Sequence, residues 1–194
     1  MAADRGLFAA MRALVGGLSE IDAPSMLIGG IAVILSGVPR ETVDVDATIL
    51  GKGSDIDAIV VALARHGIVP RIENAISFAR ERHVLLLIHE PTQVTMELTF
   101  GWLPFEEEAL ARAREIEVEG GRVRVARPED LIVYKAAAWR DRDKSDIERL
   151  LTLHGASIDL ERIRKLVAEI GVALEDPERI AAFEELVSRA TGNL

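Results

Sequence analysis

The chain has 194 residues, 49% of them hydrophobic and 28% charged, enough for one well-buried core plus a helical appendage. Its 32 acids outweigh 23 bases for a formal charge of −9, which argues against a surface that coats nucleic acid broadly, though a local basic groove remains open. It has no cysteine, which excludes disulfides and thiolate metal sites and fits a reducing cytosol.

In chain order, Leu7 to Leu18 is apolar but broken by Arg12, with no basic region leading to a small-residue cleavage site. It reads as an amphipathic helix over 3–18 packed on the core, and not as a signal peptide. No apolar run reaches the roughly 18 to 20 residues that span a bilayer, so the expectation is a cytoplasmic protein without membrane segments. Met26 to Ile28 is a short buried strand running into Gly29 and Gly30, with a small apolar helix to about Ser36. Thr42 to Leu50 alternates as a strand, with Val43, Val45 and Ala47 on one face and Asp44, Asp46 and Thr48 on the other. Ser54 is placed as the N-cap of a helix that ends near His66 and Gly67. Val84 to Ile88 and Val94 to Phe100 form an antiparallel pair, and Glu115 to Val125 a hairpin turning at Gly120 and Gly121.

From Pro128 onward the pattern is helical. Pro128 opens a helix with Glu129 and Asp130 in its first turn. Another helix runs from about Ser145 to His154 and ends at Gly155, and a third carries Leu160, Ile163, Leu166, Val167 and Ile170 with Gly171 after it. Asp176 and Pro177 start the last. The expected architecture is α/β (α+β), a mixed sheet flanked by helices over 1–127. A C-terminal helical region over 128–194 closes one side of the cleft.

The chemistry concentrates between Gly29 and Asp46. Side chains at i and i+2 of a strand point the same way, about 6 to 7 Å apart. Two carboxylates so placed repel each other unless a divalent cation sits between them. Magnesium takes oxygen ligands, commonly one or two carboxylates with substrate phosphates, and paired ions can activate a hydroxyl and hold a leaving pyrophosphate. Glu97 is the candidate third acid, because alternation over Val94 to Phe100 turns it away from the core with Thr95 and Thr99. An isolated Asp-x-Asp strand reads better as the solvated face of a sheet. The glycine pair upstream, with Arg40 and Thr42, tips this one toward metal. The glycines can do no more than end a strand, or they can bring backbone N–H groups close to triphosphate oxygens. Gly51-Lys52-Gly53-Ser54 lacks the earlier glycine of a Walker A loop and is read as a connection.

Gly29-Gly30 followed by Arg40-x-Thr42-x-Asp44-x-Asp46 resembles the signature of minimal polymerase-β-type nucleotidyltransferases, most closely the AbiEii-like group, many of which are toxins of toxin–antitoxin or abortive-infection systems. Glu97 stands where aspartate is common. A second block, Pro128 to Lys135 followed by Arg140 to Ile147, resembles that group's helix–turn–helix segment. The resemblance implies magnesium or manganese on Asp44, Asp46 and Glu97, which with Lys135 make up the catalytic set. It implies a nucleoside triphosphate held by Gly29, Gly30, Arg40, Thr42, Lys135 and Asp146, with Asp143 organising the turn. It also implies transfer of a nucleoside monophosphate to an acceptor hydroxyl, a transfer RNA 3′ end in toxin members, and a cognate antitoxin partner. The alternative is a catalytically degenerate member that binds through a partner protein.

Arg140, Arg142 and Lys144 read as a solvated charge run or, with Arg122, Arg124 and Arg127, as a basic stripe. The histidines His66, His83, His89 and His154 lack metal-ligand spacing and read as caps or surface residues. Trp102 and Trp139 can stack a base, but packing is the better reading.

Overall fold

Apolar side chains at every second position build the sheet, and the computed structural model, which describes residues 2–50 and 55–192, shows how they are covered. The chain divides into two compact units, Met1–Ile31 with Glu41–Ala126, and Ala32–Arg40 with Arg127–Leu194.

The first unit holds α1 (Ala2–Ser19), β1 (Ser25–Ile28), the start of α2 (Gly29–Leu35), β2 (Asp44–Leu50), α3 (Ile56–Ala64), β3 (Ile68–Pro70), α4 (Ala75–Arg82), β4 (Val84–His89), β5 (Val94–Gly101), α5 (Pro104–Arg112), β6 (Arg114–Val118) and β7 (Gly121–Val125). Among the described residues the strands form a seven-stranded sheet in the order β3-β4-β5-β2-β1-β7-β6. β2 runs parallel to β5 and β1 parallel to β7, while the remaining neighbours are antiparallel, so the sheet is mixed as expected. One face buries Val45, Ala47 and Ile49 of β2 beside Met96, Leu98 and Phe100 of β5. Leu7, Met11 and Leu14 of α1 and Ile59 and Leu63 of α3 belong to the same core, α1 lying against α3, β2 and β5. Each such side chain contributes on the order of 1.5 to 3 kcal/mol through burial.

The second unit holds the rest of α2 with residues to Arg40, then α6 (Pro128–Ala138), α7 (Asp141–His154), α8 (Leu160–Ala173) and α9 (Pro177–Thr191). Pro128 opens α6, and Asp159 and Asp176 cap α8 and α9 by accepting from the backbone N–H of Arg162 and Arg179. The segment after α2 is tied to α7: His154 Nε2 lies 2.8 Å from Ser36 O, and Arg149 Nη1 donates to Pro39 O at 3.1 Å. No helix among the described residues is long and apolar enough to cross a membrane.

Several local expectations change. Val43 is 78% exposed, because the strand begins only at Asp44. Asp55 caps α3, accepting from the N–H groups of Asp57 and Ala58, while Gly51, Lys52, Gly53 and Ser54 lie outside the described residues. Helix α7 starts at Asp141, four residues before Ser145, so part of the charge run is its first turn. Gly171 lies inside α8, where the Cβ of any other residue would come 2.8 Å from Ile180 Cγ1 of α9. His89 is buried and not superficial, with Nδ1 2.7 Å from Thr92 Oγ1, and burial pulls its pKa below the usual imidazole value.

Candidate active site

The polar face of the sheet in the first unit is set by register. In the parallel β2–β5 pair, Asp44 faces Thr95, Asp46 faces Glu97 and Thr48 faces Thr99. Directly paired residues share a face and adjacent strands lie about 4.8 Å apart, so Asp44, Asp46 and Glu97 project from one surface. Val45 and Met96, one step along, are both buried on the other side. Thr42 Oγ1 donates to Asp44 Oδ1 at 2.7 Å and orients that carboxylate. Asp46 lies against Gly29, whose φ is +62°; a Cβ there would stand 2.6 Å from Asp46 Cγ and 2.7 Å from its Cβ. The glycine therefore makes the space that the Asp46 carboxylate occupies. Gly30 is buried at the start of α2.

The glutamate is placed differently. Its side chain is 53% exposed, and Oε1 lies 3.9 Å from Arg71 Nη2. Among the described residues no group of three or more histidines and carboxylates is already gathered for a metal ion. The register thus brings the three acids to one face without closing them into a ready-made cage. Arg71 has no motif around it and was invisible to sequence reasoning.

The second unit contains a buried charge cluster. Lys135 Nζ lies 2.9 Å from Asp143 Oδ1 and 2.8 Å from Asp146 Oδ2, and its side chain is 9% exposed. Arg40 Nη1 donates to the same Asp146 oxygen at 2.6 Å. Asp143 Oδ2 accepts from Arg140 N at 3.1 Å and Arg140 Nε at 2.9 Å. Burial pushes the Asp143 carboxyl up, but hydrogen bonds from Lys135 and Arg140 outweigh it and hold the group below the usual range. Arg40, Lys135 and Asp146 are thus brought together, with Asp143 as a fourth member.

Comparison with known proteins decides the family. The model of the nucleotidyltransferases of unknown function (DUF6036) matches residues 5–189. The chain belongs to that family. No curated protein sequence matches it. Among solved structures, the solution structure of the antibiotic-resistance factor ANT(2'')-Ia aligns over 95% of this chain and 97% of its own, at 18% identity and a TM-score of 0.56. The crystal structure of ANT(2")-Ia in complex with adenylyl-2"-tobramycin aligns over 85% of this chain and 97% of its own, at 17% identity and a TM-score of 0.57. JHP933 from Helicobacter pylori aligns over 92% of this chain and 77% of its own, at 20% identity and a TM-score of 0.49. At these identities the likeness to ANT(2'')-Ia is one of fold, and the α/β architecture agrees with it.

The remaining polar surface of this nucleotidyltransferase is more balanced than its sequence suggests. Arg122 lies 3.4 Å from Glu117 and 3.6 Å from Glu115 across the β6–β7 hairpin, and Arg124 donates to Leu110 O at 2.6 Å. Lys144 pairs with Asp141 at 3.2 Å and sits 5.6 Å from the centroid of the Trp139 ring. Trp102 is 60% exposed, with its ring 5.7 Å from that of His83, while Trp139 closes α6 with a φ of +57°.

Proposed function

We propose that this nucleotidyltransferase moves the nucleoside monophosphate of a nucleoside triphosphate to an acceptor hydroxyl, with Asp44, Asp46 and Glu97 as the residues that hold magnesium or manganese. The observation that carries the reading is the β2–β5 register, which sets Asp46 opposite Glu97 and Asp44 on the same face. Three hard carboxylates suit a divalent oxygen-seeking ion, and the missing side chain of Gly29 makes the room in which the Asp46 carboxylate sits on that face. A bound ion supplies neutralisation of triphosphate charge and lowers the pKa of a hydroxyl.

In the proposed reaction the acceptor oxygen bonds to the α-phosphorus while the α–β bridging P–O bond breaks and pyrophosphate leaves. Thr42 fixes Asp44, Glu97 orients the acceptor and takes its proton, and Gly29 and Gly30 offer backbone N–H groups to phosphate. Nucleotide contact by Arg40, Lys135 and Asp146 is a separate proposal from the resemblance. For Lys135 it requires the ammonium to be drawn off Asp143 or Asp146.

The finer assignment is an AbiEii-type cytoplasmic toxin that acts on a transfer RNA 3′ end and is paired with an antitoxin. Its support is the resemblance and the bases from Arg122 to Lys144. A small hydroxyl compound is the second acceptor reading. It is favoured by the carboxylate partners of Arg122, Arg140 and Lys144, and by the fold shared with a protein seen with adenylyl-2"-tobramycin. To test both, wild type and an Asp44→Ala/Asp46→Ala variant are incubated with labelled triphosphates, magnesium and either purified transfer RNA or a panel of small hydroxyl compounds. The expected result is label on one acceptor class with wild type, reduced by roughly 100-fold or more in the variant, since loss of outer-shell partners alone reduces activity 10- to 100-fold. No label on any acceptor, cell extract included, together with no metal-dependent triphosphate binding, would instead favour the degenerate binding module.

A further inference from the structure

Arg71 follows β3, and its backbone N–H donates to Leu86 O at 2.9 Å, continuing the pairing in which Pro70 faces Leu87. Leu86 in turn faces Glu97, and Glu97 faces Asp46. One row across the sheet therefore reads Arg71, Leu86, Glu97, Asp46, with all four side chains on one face. From its own strand the guanidinium has to cross about two strand spacings, roughly 10 Å, to approach Glu97. It does so over half-buried Leu86, reaching 3.9 Å from Oε1, with side-chain exposures of 36% for Arg71 and 53% for Glu97. That separation is beyond hydrogen-bond reach, and at such exposure the attraction is weak and screened by salt.

Glu97 stands between a cation on one flank and Asp46 on the other. Without metal, its nearest carboxylate neighbour in the row repels it and Arg71 attracts it. With metal, a divalent charge on the aspartate side outcompetes a single, loosely held guanidinium. We propose that Arg71 is the counter-ion of Glu97 in the metal-free enzyme and is displaced when a divalent ion draws Glu97 toward Asp44 and Asp46. The inference rests on the metal reading above. Arg71 is then a positioning residue: it draws Glu97 away from the aspartates and sets how tightly the ion is held.

The test uses manganese alone, with free ion measured by electron paramagnetic resonance, on the full chain and its Arg71→Gln, Glu97→Gln, doubly substituted and Asp44→Ala/Asp46→Ala variants. Removing one positive charge beside the site should tighten manganese binding about three- to tenfold in Arg71→Gln, with the gain shrinking at high salt. In the Glu97→Gln background the Arg71 substitution should change affinity by less than about twofold, since the contested carboxylate charge is gone. Unchanged or weaker binding in Arg71→Gln overturns the inference. So does a gain that persists without Glu97, which would mark a general field effect. In both cases a loss of binding in the aspartate variant leaves the metal reading standing. Equal manganese binding by wild type and the aspartate variant overturns the metal reading itself.

Discussion

Replacing Gly29 by alanine sets a methyl group where the Asp46 carboxylate lies, 2.6 Å from its Cγ, at a backbone φ of +62° that side chains other than glycine's rarely adopt. The expected effect is a loss of about 1 to 3 kcal/mol in denaturant unfolding, from strain and displaced packing, together with weaker metal binding. Full stability with unchanged metal affinity would show that the close approach of Gly29 and Asp46 is unimportant. The sequence already marked both residues, since a glycine pair and an Asp-x-Asp strand are local patterns. It did not reveal that the glycine makes room for the aspartate, because that contact is made only when β1 and β2 pair and bring Gly29, at the start of α2, against Asp46. Arg71 was hidden for the same reason: its importance comes from its row in the sheet and not from its neighbours in sequence.

At the scale of elements, the start of α7 depends on Asp143. Because the folded carboxyl is held below the ordinary value, its contribution is fully present above the unfolded pKa of about 4 and is lost as pH falls through the folded one. Asp143→Asn should therefore flatten the acid limb of a stability–pH curve, while leaving its neutral-to-alkaline shape unchanged. Lys135→Met leaves two buried carboxylates with fewer cations and should destabilise by about 3 kcal/mol, as expected when one partner of a buried pair is removed. A near-neutral effect in a thermal melt would show that Arg40 and Arg140 suffice. Gly171→Ala should lower stability by about 1 to 3 kcal/mol, because the added Cβ meets Ile180 Cγ1 at 2.8 Å. Helices with start signals, such as Pro128 for α6 and the Asp176 cap with Pro177 for α9, were legible in the sequence. The short β3, the charged α4 and the acidic α5 were not, since their amphipathic signal is weak and tertiary packing decides them. The run from Arg140 to Lys144 read as a turn. Its helical state is fixed by the capping interactions of Asp143 and the packing of α7, which periodicity alone does not show.

For the molecule as a whole, the α/β architecture and the nucleotidyltransferase class were readable because glycine pair, arginine, threonine and two aspartates fall in one short stretch; the family whose model matches residues 5–189 is DUF6036, and the match does not extend to the AbiEii-like group. The acceptor was not readable. Net charge sums both signs without saying which charges lie together, and only the folded hairpin shows that Arg122 is flanked by Glu115 and Glu117. The central claim is that Asp44 and Asp46 support transfer of the nucleotidyl group itself. The most direct test compares triphosphate labelled at the α-phosphate with triphosphate labelled at the γ-phosphate, incubated with the full chain, magnesium and cell extract. The account predicts that only α-label reaches acceptor, that γ-label leaves as pyrophosphate, and that Asp44→Ala/Asp46→Ala transfers neither. Transfer of γ-label to acceptor, or equal α-labelling by wild type and the aspartate variant, would contradict it.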